Sequence, residues 1–577
     1  FLNDATYSNT PDTMAHAGNG FLFRRGYTFV WSAWQGDIFP GNNRTTLDVP
    51  IATQNGKPIT GLNRVEFRPN QSGTVCYPLS GWTATESYPT VSLDTSKAKL
   101  TKRRYAESER FPIADDAWEF ARVEGGAGLD DAAIETAIIP SDTHIYLHDG
   151  FEAGWLYELI YTGKDPRVLG LGFTAVRDLI SFFKYGDKDS AGTQNPAAEG
   201  ITVEKAYGWG RSQTGRVIRD YLHQGFNADA EGRKVFDGLM PHVAGAGMMW
   251  MNHRFANLNG TAGQQYEDHL NIADRFPFTY GDSTDHITGK TDAILKHPDT
   301  DPLVFHSQTG TEYWQRHGSL VHTDTQGNDI ELPENVRVYA MVSSQHFANP
   351  KQGKPVKGVM QNVNNVVNTS MFFRAFLDAL DLWSTNGTPP PASCMPTRKD
   401  GTLVSYDEWR KKFPTIPGQQ IPWAANNLPL YDFGPDTDNG FITKQPPEIA
   451  DQQGYTILVP AVDTDGNDIG GLRAPMVSAP LATYCGWNLR ARGHGHGAMF
   501  EFNGSTIPFA ITSIEREASD DPRPSVQERY KDNDGFVKAV MAASQKLVKD
   551  GYMLEEDLER VVESARTWFH PRHDVNL

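Results

Sequence analysis

Ile201-Thr-Val-Glu-Lys-Ala-Tyr-Gly-Trp-Gly-Arg-Ser212-Gln-Thr-Gly-Arg-Val-Ile-Arg-Asp-Tyr-Leu222 sets the architecture of this chain. The β-branched Ile201, Thr202 and Val203, leading into Tyr207, predict a strand, and Gly208 and Gly210 break it. Val217, Ile218, Tyr221 and Leu222 then recur at helical spacing. Strand, Gly-flanked Ser212 and helix predict a sharp turn that presents a strained serine at the top of a sheet. The helix N-terminus and the backbone N–H of Gln213 would face a developing oxyanion there. The pattern departs from the usual Gly-x-Ser-x-Gly, because Thr214 precedes Gly215. A glycine-rich turn with an N-capping Ser fits the same residues.

Outward from this stretch, residues 1–25 carry few periodic signals. Gly26-Tyr-Thr-Phe-Val-Trp-Ser-Ala-Trp34 predicts a buried strand ending in Gln35-Gly-Asp37. From about 40 to 150 the pattern changes to short alternating runs such as Asn63-Arg-Val-Glu-Phe67, with Asn55-Gly56 as a hairpin turn. This predicts a β-rich insertion, whose role is scaffolding or substrate binding. Trp155-Leu-Tyr-Glu-Leu-Ile-Tyr161 returns to buried-strand composition, and residues 170–185 place Phe173, Val176, Leu179, Ile180 and Phe183 on one helical face. Strand and helix in alternation predict a parallel sheet. Further strands are expected over 238–246, 302–305 and 336–342, and a helix over 363–383 that Pro389-Pro-Pro391 ends.

The irregular segment 248–300 carries Met248, Met249, Trp250, Met251, Phe276 and Phe278. It reads as a lid with an apolar pocket wall, or as an anchoring cluster beneath a loop. Beyond 386 the chain is loop-rich, with a short strand at 455–459. A charged helical tail over about 534–569 packs through Val537, Val540, Met541, Leu547 and Leu554. The expected organisation is 1–39 as the start of the core, 40–150 as the insertion, 151–385 as the core with its lid-like segment, and 386–577 as an extension packed on it.

The bulk numbers set limits. A chain of 577 residues, 39 % hydrophobic with 13 Trp, 21 Tyr and 30 Phe, can bury a large core. No run approaches the roughly 18 apolar residues of a membrane helix. A formal charge of −18 argues against nucleic acid or an anionic membrane as partner. Cys76, Cys394 and Cys485 stand far apart, so no zinc ribbon or redox motif is expected. The first residue is Phe1, without Met or a charged-then-apolar leader. That fits signal-peptide removal, and hence a secreted or periplasmic protein, or a chain lacking an N-terminal piece. The composition is equally compatible with a cytosolic one.

Gly210-Arg-Ser-Gln-Thr-Gly215 resembles the nucleophile motif Gly-x-Ser-Gln-x-Gly of a family of large α/β-hydrolase-domain proteins. Gly225-Phe-Asn227, Phe236-Asp-Gly238, Glu312-Tyr-Trp314, Gln345-His346, Pro480-Leu-Ala-Thr-Tyr484 and Glu528-Arg-Tyr530 are similar to that family as well, as is the run from Asp165 to Asp178. The resemblance implies an α/β-hydrolase fold with a mostly parallel sheet, the insertion and a C-terminal decoration. It also implies residues before Phe1 that carry the first strands, and a second oxyanion N–H from Trp34 or Gln35.

In that fold the chain order is Ser, then Asp or Glu, then His. Ser212, Glu312 and His346 obey it, the last two each just after a predicted strand. A serine hydroxyl is a weak nucleophile until a base takes its proton, and an acid must orient that base. Asp301, Asp324 and Asp329 are rival acids, and His306, His317 and His322 rival bases; His306 reads as a core residue. A carboxylate beside His346 is expected to raise its pKa. Trp31, Trp209 and Trp314 flank these motifs and fit either an apolar substrate group or plain packing.

Two metal readings fail on spacing. Asp463-Thr-Asp-Gly-Asn-Asp468 begins like a calcium loop, but Ala474 stands where a bidentate Glu is needed. Gly493-His-Gly-His-Gly497 has no nearby acidic or Cys partner. The expected protein is a serine esterase without metal or cofactor, acting on a small-molecule or polymeric ester. Amidase, lactonase or acyltransferase activity on the same triad, or a non-catalytic binding protein, are the alternatives. The oligomeric state is not legible.

Overall fold

Four strands form one antiparallel sheet: β1 (Thr60–Phe67), β2 (Lys99–Arg103), β3 (Phe111–Pro112) and β4 (Leu156–Lys164), in the order β1-β4-β2-β3. β4 corrects a sequence expectation. It pairs antiparallel with β1 along its length, Tyr157 opposite Phe67 and Lys164 opposite Thr60, and so joins the antiparallel sheet and not the parallel one. A strand buried on both faces has the same composition in either setting, so composition could not assign it. The expected hairpin at Asn55-Gly56 is present: Thr53–Gln54 pairs with Lys57–Pro58, and both turn residues take positive φ. These features belong to a computed structural model that describes residues 8, 10–126, 128, 130, 137–197, 202–256, 270–347 and 354–567.

The second sheet is parallel: β5 (Tyr207–Arg211), β6 (Gly238–His242), β7 (Leu303–Thr309) and β8 (Val336–Met341), neighbours in that order. Its side chains alternate between two cores. Leu239, Val304 and Val338 face one cluster with Phe173 of α1 (Leu171–Tyr185) and Val217, Ile218 and Leu222 of α2 (Gln213–His223). Met240, Phe305 and Tyr339 face the other, with Phe372, Phe373 and Phe376 of the long helix Ser370–Asn386 and Val537 and Val540 of the tail helix Asn533–Lys549. Each fully buried apolar side chain contributes about 1.5–3 kcal/mol, so the sheet is held from both faces.

Other expectations change. Residues 27–35 adopt no regular secondary structure, and Phe29, Val30 and Trp31 are exposed; an aromatic, β-branched run is not a strand unless a neighbour takes its ladder. Ile201 lies outside the described residues, Thr202–Ala206 are irregular, and the strand begins at Tyr207, so Gly208 and Gly210 lie within it. The helix expected over 363–383 starts at Ser370, because Val363–Asn364 pairs with Ser505–Pro508, and it ends on Gly387 in the left-handed conformation. The strand expected at 455–459 is divided between Glu448–Tyr455 and Val459–Pro460. The tail is two helices, Asn533–Lys549 and Glu555–Thr567.

Met248, Met249, Trp250 and Met251 are buried in the first core, so they anchor and do not line an open lid; residues 257–269 of that segment lie outside the described residues. Among the described residues, no helix is long and apolar enough to cross a membrane.

Candidate functional site

The site is built at the ends of β5, β7 and β8. Ser212 follows β5 directly and precedes α2 with φ 58° and ψ −117°. For a non-glycine residue that is a strained conformation. The turn is enforced by close packing: a Cβ on Gly210 would stand 2.6 Å from the Thr214 carbonyl oxygen, and one on Gly215 2.8 Å from that of His242. The Ser212 N–H donates to the same His242 oxygen at 2.8 Å. The turn therefore needs glycine two residues before and three after the serine, and it accepts Thr214 between.

Glu312 sits in α3 (Gly310–Gln315), which starts where β7 ends. Its Oε2 accepts from the Thr309 N–H at 2.7 Å and the Thr309 hydroxyl at 2.5 Å, closing a capping box that locks the carboxylate at the helix start. Oε1 stays free for the base and lies 2.5 Å from His346 Nδ1. An ionised carboxylate can only accept, so Nδ1 carries the proton and Nε2 is left to accept from the Ser212 hydroxyl, 2.8 Å away. Glu312 and His346 are both buried.

His346 stands five residues beyond β8 on a loop held from several sides. Its N–H donates to Thr311 Oγ1, its carbonyl accepts from Arg211 Nη2 at 2.9 Å, and the Phe502 ring lies against its own, tilted by 30° with centres 4.4 Å apart. Gln345 Oε1 accepts from the N–H groups of Gly504 and Asn365. Ser343, with φ 56°, donates its N–H to Asp468 at 2.7 Å. Burial pushes the Asp468 carboxyl up to about 7. Most of these braces come from beyond residue 360, so the C-terminal segment is part of the site and not only decoration.

Burial also dominates the charge of His346. It opposes the imidazolium more strongly than the Glu312 carboxylate favours it, with Arg211 and Arg316 adding to the opposition. The pKa therefore lies below the ordinary value, against the rise expected from the carboxylate alone.

The rivals are engaged elsewhere. Asp324 accepts from the N–H groups of Gln326 and Asn328, Asp329 from those of Arg398 and Lys399, and Asp301 from that of His297. His306 meets the Tyr280 hydroxyl, His322 that of Tyr313, and His317 the Asn427 carbonyl, all three buried. In the calcium-like loop Asp463 pairs with Arg473 and Asp465 with Arg529. His494 contacts the Asn70 carbonyl, joining its loop to the segment that follows β1.

The aromatic candidates separate. Trp314 is buried against Trp409 at 4.7 Å and Trp487 at 6.1 Å, so it is core, and the expectation of a substrate contact is corrected for it. Trp31 is exposed and stacks on Phe29. Trp209 is 38 % exposed beside Phe373 and His242. Trp34 packs its carbonyl onto the first turn of α1, where a Cβ on Gly172 would come within 1.9 Å of it, and Gln35 is buried. Sequence reasoning missed Thr309, Arg211, Asp468 and Phe502. Only Thr309 had a local signal, the Thr-x-x-Glu capping pattern ahead of Glu312.

A family model described as alpha/beta hydrolase domain matches residues 154–563. The chain belongs to that family. The match spans the parallel sheet, the three juxtaposed side chains and the C-terminal segment that braces them, and it suggests hydrolase activity in general. It starts just before β4 and leaves residues 1–153 outside. No curated protein and no solved structure matches the chain.

Proposed function

We propose that this alpha/beta hydrolase cleaves carboxylic esters through an acyl-enzyme. The observation that carries the reading is the continuous relay from Ser212 Oγ through His346 to Glu312 at 2.8 and 2.5 Å, on a strained serine at the head of a helix. Ser212 Oγ attacks the ester carbonyl carbon as its proton passes to His346 Nε2. The oxyanion is met by the Gln213 N–H at the start of α2 and by the N–H of Trp34 or Gln35. The C–O bond to the alcohol breaks, and the leaving alkoxide takes the proton from Nε2. Water then gives a proton to Nε2 and its oxygen to the acyl carbon. The acid is released and Ser212 Oγ recovers its proton. Glu312 keeps the imidazole in the required tautomer and stabilises the imidazolium.

The test is a fluorophosphonate probe, which labels only an activated serine, together with a panel of acyl-chain and aryl esters. Wild-type protein is expected to be labelled and active. Ser212→Ala is expected to lose both with an unchanged melting temperature. Labelling that persists in the variant sinks the assignment.

A further inference from the structure

We infer that Phe502 is a positioning residue for the base, holding the His346 imidazole in register and shielding it from water. The inference rests on the Ser212–His346 reading above. The Phe502 ring lies 4.4 Å from the imidazole centre at 30°. Phe347 closes edge-on against both rings, 5.1 Å from His346 and 5.5 Å from Phe502. The Arg316 guanidinium lies 4.9 Å from the centre of the Phe502 ring. The imidazole thus has an aromatic wall on its face and another at its edge, while Glu312 and Ser212 occupy its two nitrogens.

The backbone carries a second, independent sign. Phe502 has φ 59°, a conformation that costs energy for a bulky residue and persists only where its surroundings impose it. Here they do. The Phe502 N–H donates to Gln315 Oε1 at 2.8 Å, and Gln315 Nε2 donates to the Phe500 carbonyl at 3.1 Å. Gln315 belongs to α3, the helix that carries Glu312. One short helix therefore sets both the acid that orients the base and the ring that covers it, and strain concentrated at such a place is characteristic of functional geometry.

The ring acts through solvent access. Charged or titratable groups facing the imidazole are Glu312, Arg211, Arg316 and His242. With Phe502 in place, water cannot solvate an imidazolium from that face, so the base stays neutral and aligned. Replacing the ring by a smaller apolar side chain admits water, favours the charged form and loosens the ring plane.

The experiment follows the rate of fluorophosphonate labelling against pH for the full chain, for Phe502→Leu and for Phe502→Tyr, with melting temperatures as a control on folding. Labelling needs no knowledge of the substrate. Phe502→Leu is expected to slow the plateau about 10- to 100-fold, the scale of a small misplacement, and to move the rising limb to higher pH. Phe502→Tyr, which keeps the ring, is expected to restore both. A Leu variant with unchanged plateau and limb overturns the inference, and so does a folded Tyr variant that behaves like it. Should the Leu variant fail to fold, Phe502→Met takes its place under the same two outcomes. Wild-type protein that is not labelled at all sinks the serine reading itself, and so is distinguishable from failure of Phe502 alone.

Discussion

At the scale of single residues, Glu312 divides its two oxygens between two tasks. One caps its own helix through Thr309 and the other meets His346. Glu312→Gln can keep the cap but presents an amide to Nδ1 and removes the charge that stabilises an imidazolium. It is expected to lower turnover by about 10⁴, the scale seen when a triad acid becomes an amide, while Asp324→Asn has little effect. Steady-state rates on any accepted ester check this, and a larger loss in the Asp324 variant would redirect the assignment. The base must be neutral to accept the Ser212 proton. Burial holds His346 below its ordinary value, so activity is expected to rise with pH through a limb below about 6.5 and then hold. Removing the Glu312 charge should move that limb lower still. A limb above neutrality in the wild type would contradict the burial argument.

At the scale of elements, the site depends on how closely the C-terminal segment approaches the acid helix. Gly486, just beyond the strand Ala482–Cys485, lies so near the start of α3 that a Cβ would stand 2.4 Å from the Gly310 carbonyl carbon. The Gly486 carbonyl also accepts from the Thr311 hydroxyl, the group that holds the His346 N–H. Gly486→Ala must push the two segments apart, because the atoms its Cβ would meet are the backbone of Gly310 and Thr311. The expected result is a loss of about 1–3 kcal/mol of stability, the usual scale of overpacking, with a fall in labelling rate larger than the stability change explains. Denaturant midpoints and probe kinetics on the same sample check it; a variant with wild-type labelling would mean that α3 tolerates displacement.

At the scale of the whole molecule, the antiparallel sheet carries its own buried charge network. Glu158 accepts from Arg64 at 2.7 Å and Arg110 at 2.8 Å, and Glu66 binds Arg64 and Arg103 at 2.6 Å each. Burial opposes ionisation of Glu158, but Arg64, Arg110 and Arg103 together hold its carboxyl far below the ordinary range. A depressed folded pKa contributes stability that is present above the ordinary carboxyl value of 4.5 and is lost as pH falls through the folded value. Breaking such a pair leaves arginines buried without compensation, which costs about 3–5 kcal/mol. Glu158→Gln is therefore expected to lower the melting temperature at neutral pH and to reduce the difference between neutral and strongly acidic conditions. A melting temperature unchanged at pH 7 would show that the arginines find other partners.

The periodic parts of this chain were legible without coordinates. Strands β6 to β8 and the helix after Ser212 each rest on local patterns: apolar runs and helical spacing. Such patterns act over a few residues, and neighbours in sequence supply them. What tertiary structure decided were matters of partner and environment. Residues 27–35 have strand composition, yet a strand exists only where another backbone completes its hydrogen bonds. Leu156–Lys164 found its partners in Thr60–Phe67 and Lys99–Arg103. Trp314 and Met248 look the same in sequence whether they line a pocket or fill a core. The charge of His346 depends on its burial and on Glu312, Arg211 and Arg316, which stand far from it in sequence. Local sequence encodes conformation, whereas burial and dielectric belong to contacts between distant segments, and those segments tune the site.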